Sequence, residues 1–337
     1  MLKSRGPVLG AGDLIALGAA MRSELLDEMR PSLADIRMML QATNEFFLRS
    51  VDSTNKLLDR DLVRTLIWTA IWTTNVKHIT ASHSNLEYGD LERLPPDELR
   101  QPVSVLALAN SLRMPYETVR RHASALVSDG MATMIKGRGL LVPLNILEDS
   151  HTFDAISANH GNVIRYIGDL KRKGFDFRPY RKSSVRSTAA ENPASCIRSV
   201  LRVHVDFIMR VVDLLNQHHD DDLTAGIIYT AILAANLAPH VGLPDAAAGL
   251  FPSDDCRRPV PVLAISNSLR IPYETARRYC GRLTREGLLR RVGNQGLIVP
   301  QAVQQQREDE ETMRWNFRHV QRFVADLQRA GLALPVD

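Results

Sequence analysis

Residues 101–143 and 258–300 repeat one another: they align without a gap at an offset of 157, and 21 of the 43 positions are identical. Composition alone would match about one position in sixteen. Both copies contain Pro-Val-x-Val-Leu-Ala, from Pro102 and Pro259, and Asn-Ser-Leu-Arg-x-Pro-Tyr-Glu-Thr-x-Arg-Arg, from Asn110 and Asn267. Upstream the offset becomes 161, pairing Phe46 with Phe207, Asp52 with Asp213 and Asn75 with Asn236. Downstream it returns to 157, pairing Val163 with Val320 and Asp169 with Asp326. A period this long means two copies of a whole domain, not a short-period solenoid. The expected organisation is an N-terminal helical extension (1–31), a first unit (32–179), a linker (180–192) and a second unit (193–337).

Length agrees, since 337 residues suit two cores of about 150 residues better than one. The net charge of +4 discriminates little. Three cysteines (Cys196, Cys256, Cys280) form no Cys-x-x-Cys pair and are odd in number, which suits a reducing cytoplasm. The most apolar run, Ala225 to Ala238, is too short and too polar at Thr230 and Asn236 to span a membrane. Near the N-terminus Asp13 interrupts the approach to an apolar run, so Ala11 to Met29 reads as an appended helix rather than a secretory signal.

Within the first unit, a long helix is expected from Leu33 to about Leu58 and a second from Asp61 to His78, with Asp59 or Asp61 at its N-cap. Then come a short helix (103–111), a turn (112–114) and a helix from Pro115 to Asp129. Pro suits the first turn of that helix, and Gly130 closes it. Residues 131–142 alternate around Lys136-Gly137-Arg138-Gly139 and read as a β-hairpin. A last helix runs from Asp154 to Lys173. The fold class is therefore mainly α, with two tandem helix-turn-helix units, each carrying a small hairpin wing and flanking helices.

This order resembles the winged helix-turn-helix of bacterial transcriptional regulators. The segment Pro115-Tyr116-Glu117-Thr118-Val119-Arg120-Arg121 is similar to the recognition helix of the catabolite-activator group, and the flanking helices resemble a MarR-like arrangement in which such helices build a dimer interface. The close resemblance covers 43 residues per unit (101–143 and 258–300), without a cyclic-nucleotide β-roll. It implies double-stranded DNA as partner and base contacts by Glu117 and Arg121; Tyr116 stands where that group carries Arg.

The residues themselves support the same face. With Val119, Ala123 and Leu126 inward, Glu117, Arg121 and Ser124 point outward, flanked by Tyr116 and Arg120. The second copy presents Glu274, Arg278, Gly281 and Arg285, flanked by Tyr273 and Arg277, and Arg282 is also expected to contact DNA. Arg can hold guanine O6 and N7 with two hydrogen bonds, and Glu can accept from cytosine N4. The alternative for Glu117 and Arg121 is an intrahelical ion pair worth a few tenths of a kcal/mol. Lys136 and Arg138 at the wing tip are expected on phosphate. From Arg113 to Arg138 five cations face two acids, and from Arg270 to Arg291 seven face two, a basic footprint denser than the whole chain's. Arg113 and Arg270 occupy a turn position where related sequences carry Gly for a positive φ. Either this turn avoids that conformation, or both side chains reach phosphate.

Neither His218-His219-Asp220-Asp221-Asp222 nor His78 with His83 has recognised metal-ligand spacing, and no cofactor is implied. Cys280, in the second recognition helix, reads as a small buried residue rather than a redox sensor. No phosphate loop, nucleophile elbow or paired-carboxylate motif appears, so an enzyme is not expected. The reading is a sequence-specific transcriptional regulator acting as an intramolecular pseudo-dimer, with any small-molecule effector unidentified. A plasmid-type replication initiator and a protein-binding winged-helix scaffold are the alternatives, as is a homodimer of chains.

Overall fold

The computed structural model describes residues 31–58, 61–80, 84–180, 196–238 and 251–335. The expected helix at 11–29 and all of the linker but Tyr180 lie outside them. The chain is mainly helical, with two small antiparallel hairpins. No helix among the described residues is long and apolar enough to cross a membrane.

Helix α1 (Leu33–Asn55) starts at a capping box: Ser32 Oγ accepts from Asp35 N at 3.1 Å, and Asp35 Oδ2 accepts from Ser32 N at 3.2 Å. It ends three residues before the expected Leu58. Helix α2 (Leu62–Thr80) has Asp61 before it, whose carboxylate accepts from Arg64 N at 3.0 Å. A short α3 (Ser84–Glu87) leads to α4 (Val105–Leu112), α5 (Tyr116–Ser128), and the hairpin β1 (Thr133–Ile135) and β2 (Gly139–Leu141). A one-turn α6 (Leu144–Leu147) and a long α7 (Ser150–Arg172) follow. Helix α4 begins two residues later than expected because Val103 is held in a bridge to Leu140, and Ser104 then caps the helix. That bridge also explains Gly139: a Cβ there would meet the Val103 carbonyl at 2.4 Å.

The second half runs through α8 (Ile197–His218), α9 (Leu223–Leu237), α10 (Val262–Leu269), α11 (Tyr273–Arg285), β3 (Arg290–Val292), β4 (Gly296–Ile298), α12 (Gln301–Arg307) and α13 (Glu310–Arg329). Matching positions do matching work. Asn75 Nδ2 donates to the carbonyls of Gln101 (2.8 Å) and Leu140 (3.1 Å), and its Oδ1 accepts from Val142 N (3.0 Å). Asn236 does the same with Arg258 (2.7 Å), Leu297 (3.2 Å) and Val299 (2.8 Å). Each buried amide thus ties a hairpin to the central helix beneath it.

The halves do not each close their own core. Helix α1 packs on α9 and α13 as well as on α7, while α8 packs on α2 and α7 as well as on α9 and α13. One continuous core joins Phe46 and Tyr166 to Phe207, Ile228 and Phe323, and a second joins Val119, Leu126 and Leu140 to Leu201 and Val205 of α8. At the centre, Phe46 stacks on Tyr166 (4.4 Å between ring centroids) and Phe207 on Phe323 (4.3 Å). Aromatic pairs of this kind add about 0.5–1.5 kcal/mol beyond their burial.

Candidate nucleic-acid interface

Each unit presents one helix whose inner side is fixed by three buried residues. In α5 these are Val119, Ala123 and Leu126; in α11 they are Ala276, Cys280 and Leu283, none more than 2% exposed. Three to four residues between them make one stripe of a 3.6-residue helix. The stripe forces Tyr116, Glu117, Arg120, Arg121 and Ser124 outward on α5, and Tyr273, Glu274, Arg277, Arg278 and Arg285 outward on α11, all of them exposed. Burial pushes the Cys280 thiol up to about 11, so it is protonated at neutral pH and poorly suited to redox sensing.

The ion pair on this surface is not the Glu117–Arg121 pair weighed as the alternative to base contact. Glu117 accepts from Arg120 Nε at 2.8 Å, and Glu274 from Arg277 Nε at 2.8 Å. The pairing is therefore i to i+3, which leaves the outward Arg121 and Arg278 out of it. Arg278 lies 5.4 Å from the Tyr279 ring centroid. On α11 an open hollow of about 500 Å³ is lined by Glu274, Thr275, Arg277, Arg278, Gly281 and Arg285. At the first hairpin tip, Gly137 takes a φ of +74°, Arg138 N donates to Ile135 O at 3.0 Å, and Lys136 and Arg138 are exposed.

Three arginines expected at the nucleic-acid surface, all partly exposed, are instead paired with carboxylates of the protein itself. Arg113 and Arg270 do adopt the left-handed conformation, with φ of 50° and 53°, which costs on the order of 1 kcal/mol without glycine. Their side chains cross to the other half: Arg113 Nε donates to Asp213 at 3.0 Å and Arg270 Nε to Asp52 at 2.6 Å. Burial alone would raise the Asp52 carboxyl, but hydrogen bonds from Lys56 and Arg270 hold it below its usual value. These arginines brace one half's turn against the other half's opening helix, a role that neither sequence alternative anticipated. The signal was present, because Asp52 and Asp213 are themselves a matched pair. Arg282 turns back to Asp222, the N-cap of α9, at 2.6 Å and lies 4.9 Å from the Tyr279 ring.

Other exposed residues escaped the sequence reading. On the helix before each candidate recognition helix, Leu106 and Leu263 are both 58% exposed, beside exposed Asn110 and Asn267. Identity across the copies was the available signal, but apolar residues in a repeated helix read as core. Arg290 and Arg291 on β3, already counted in the basic footprint of the second copy, are exposed, and Arg290 pairs with Asp254 at 2.7 Å.

No family model, curated protein or solved structure matches this chain.

Proposed function

We propose that this protein is a sequence-specific DNA-binding transcriptional regulator whose two winged helices act as a pseudo-dimer within one polypeptide. One observation carries the reading: two halves that differ at half of their aligned positions keep Tyr-Glu-Thr-x-Arg-Arg on an exposed helix face. Core packing cannot account for that, since all but the threonine of these side chains are exposed. In this reading Arg121 and Arg278 contact base edges in the major groove, while Lys136 and Arg138 neutralise phosphate. The target is an imperfect inverted repeat with half-sites about one helical turn, roughly 10 bp, apart. The half-sites differ because Ser124 and Ser128 of the first copy are replaced by Gly281 and Arg285.

A gel-shift assay against genomic fragments at two salt concentrations tests this. Retention of a minority of fragments in excess competitor DNA, with affinity falling steeply as salt rises, is the expected result. Uniform retention of every fragment, or none, overturns it.

A further inference from the structure

The two halves keep a second set of charges, on the frame helices rather than the recognition helices. Arg49, Arg165, Asp169 and Arg172 of the first half are matched by Arg210, Arg322, Asp326 and Arg329 of the second. Arg49 lies 3.4 Å from Asp169, which also pairs with Arg172. In the second half Asp326 pairs with Arg329, while Arg210 and Arg322 converge on its Oδ2 from 3.7 and 3.8 Å. One carboxylate cannot satisfy three guanidinium groups, so each set retains a surplus of positive charge.

The second set lines a pocket of about 320 Å³, within the range of small-molecule sites. Its other wall belongs to the first half, where α2 supplies Thr73, Lys77 and Thr80. Arg210 Nη1 is buried with no hydrogen-bond partner, and Arg322 meets Asp326 only beyond hydrogen-bond distance. Lys77 is exposed and has no ion pair among the described residues. Donors on charged groups left unsatisfied in this way are costly unless something supplies an acceptor. Lys77, Arg210, Arg322 and Arg329 face two acids, Asp206 and Asp326, a surplus of two positive charges. The same sign is felt at His319, whose pKa is lowered by burial first and then by Arg210, Arg322 and Arg318. Thr73 and Thr80 donate their hydroxyl hydrogens to the carbonyls of Thr69 (2.7 Å) and Val76 (3.1 Å), so their oxygens can only accept from a ligand. The first half lacks this wall, because Ala234 and Ala238 stand where Thr73 and Lys77 would be.

We propose that this pocket is a binding site for a small phosphorylated sugar or polyol. Arg210 and Arg322, which already converge on one oxygen, hold the phosphate, and Lys77 completes its contacts from the opposite wall. A phosphate monoester carries a charge of roughly −2 at neutral pH, which balances the surplus of the lining. The threonine oxygens accept from the ligand's hydroxyls. With α2 from one half and α8 and α13 from the other, the ligand bridges the two halves. The site does not depend on the DNA-binding reading.

Isothermal titration calorimetry of the full chain with glucose 6-phosphate, and with glucose as its uncharged counterpart, tests the site at constant ionic strength. The expected result is one glucose 6-phosphate per chain, with a Kd of about 1 mM or tighter, and no heat from glucose. Lys77→Gln and Arg322→Gln are each expected to weaken binding about tenfold while thermal unfolding stays cooperative, since both side chains are exposed. Arg278→Ala, on the recognition face, is expected to leave it unchanged, which separates this pocket from the other basic surface. No heat from glucose 6-phosphate up to about 10 mM, equal binding of glucose, two equal sites per chain, or loss by Arg278→Ala but not by Arg322→Gln each overturns the proposal.

Discussion

At the scale of single residues, the two copies show which differences are coupled. Tyr166 of the first half hydrogen-bonds Thr43 at 2.7 Å; its counterpart Phe323 has no hydroxyl, and the counterpart of Thr43 is His204. His204 instead lies 2.9 Å from Ser50 Oγ, which already donates to Phe46 O. The imidazole therefore donates through Nε2, and burial depresses its pKa to about 3. A depressed histidine pKa means that the unfolded chain binds the proton more tightly. Its contribution to stability is thus intact above about pH 6.5 and falls by about 1.4 kcal/mol per unit as pH drops toward 3. His204→Gln is expected to flatten the decline of the urea midpoint between about pH 6.5 and 4.5 relative to wild type. Parallel curves would show that His204 titrates normally. On the candidate interface, Arg121→Ala is expected to lose about 1–3 kcal/mol of DNA affinity and relax discrimination at one base pair. Arg138→Ala should weaken all sequences alike and reduce the salt slope by about one. Competition binding with single-base variants separates the two, and unchanged preference after Arg121→Ala would refute the groove-facing assignment.

At the scale of elements, periodicity predicted helix faces better than helix ends. The inward stripe of α5 was legible because three apolar residues at four- and three-residue spacing leave one side for the core. The ends of α4 and α7 were not. Helix α4 yields two residues to a β-bridge made across some 37 residues of chain, from Val103 to Leu140. Helix α7 starts four residues early because Asp149 accepts from His151 N at 2.9 Å and caps it there. Clamping between elements was equally hidden, because Arg113–Asp213 and Arg270–Asp52 join partners in opposite halves. Each pair is partly exposed, so its worth is about 1 kcal/mol at most, and less in high salt. Arg113→Ala with Arg270→Ala is expected to leave both recognition faces intact while loosening their mutual placement. The measurable outcome is weaker binding to a two-half-site duplex with unchanged binding to an isolated half-site. Equal loss on both duplexes would assign these arginines to DNA instead.

At the scale of the whole molecule, each half supplies a helix to the other's core. A chain ending at residue 180 would expose Phe46 and Tyr166 and lose Leu201 and Val205 from beneath its hairpin-bearing unit. Full burial of each such side chain is worth about 1.5–3 kcal/mol, against a typical domain stability of 5–15 kcal/mol. Fragment 1–180 alone is therefore expected to show no cooperative unfolding, and mixing it with fragment 193–337 should restore a cooperative transition by circular dichroism. Two fragments that each melt cooperatively alone would contradict the shared core. The intact chain is expected to scatter light as one chain, its apolar helix faces being paired internally. The repeat, the helical class, the hairpins and the outward arginines were readable from the sequence, because each depends on local spacing or on comparing one copy with the other. The exchange of α1 and α8 between halves and the crossed arginine clamps were settled only by tertiary packing. They depend on which half a side chain meets across a hundred residues of chain or more, and periodicity along the chain carries no information about that choice.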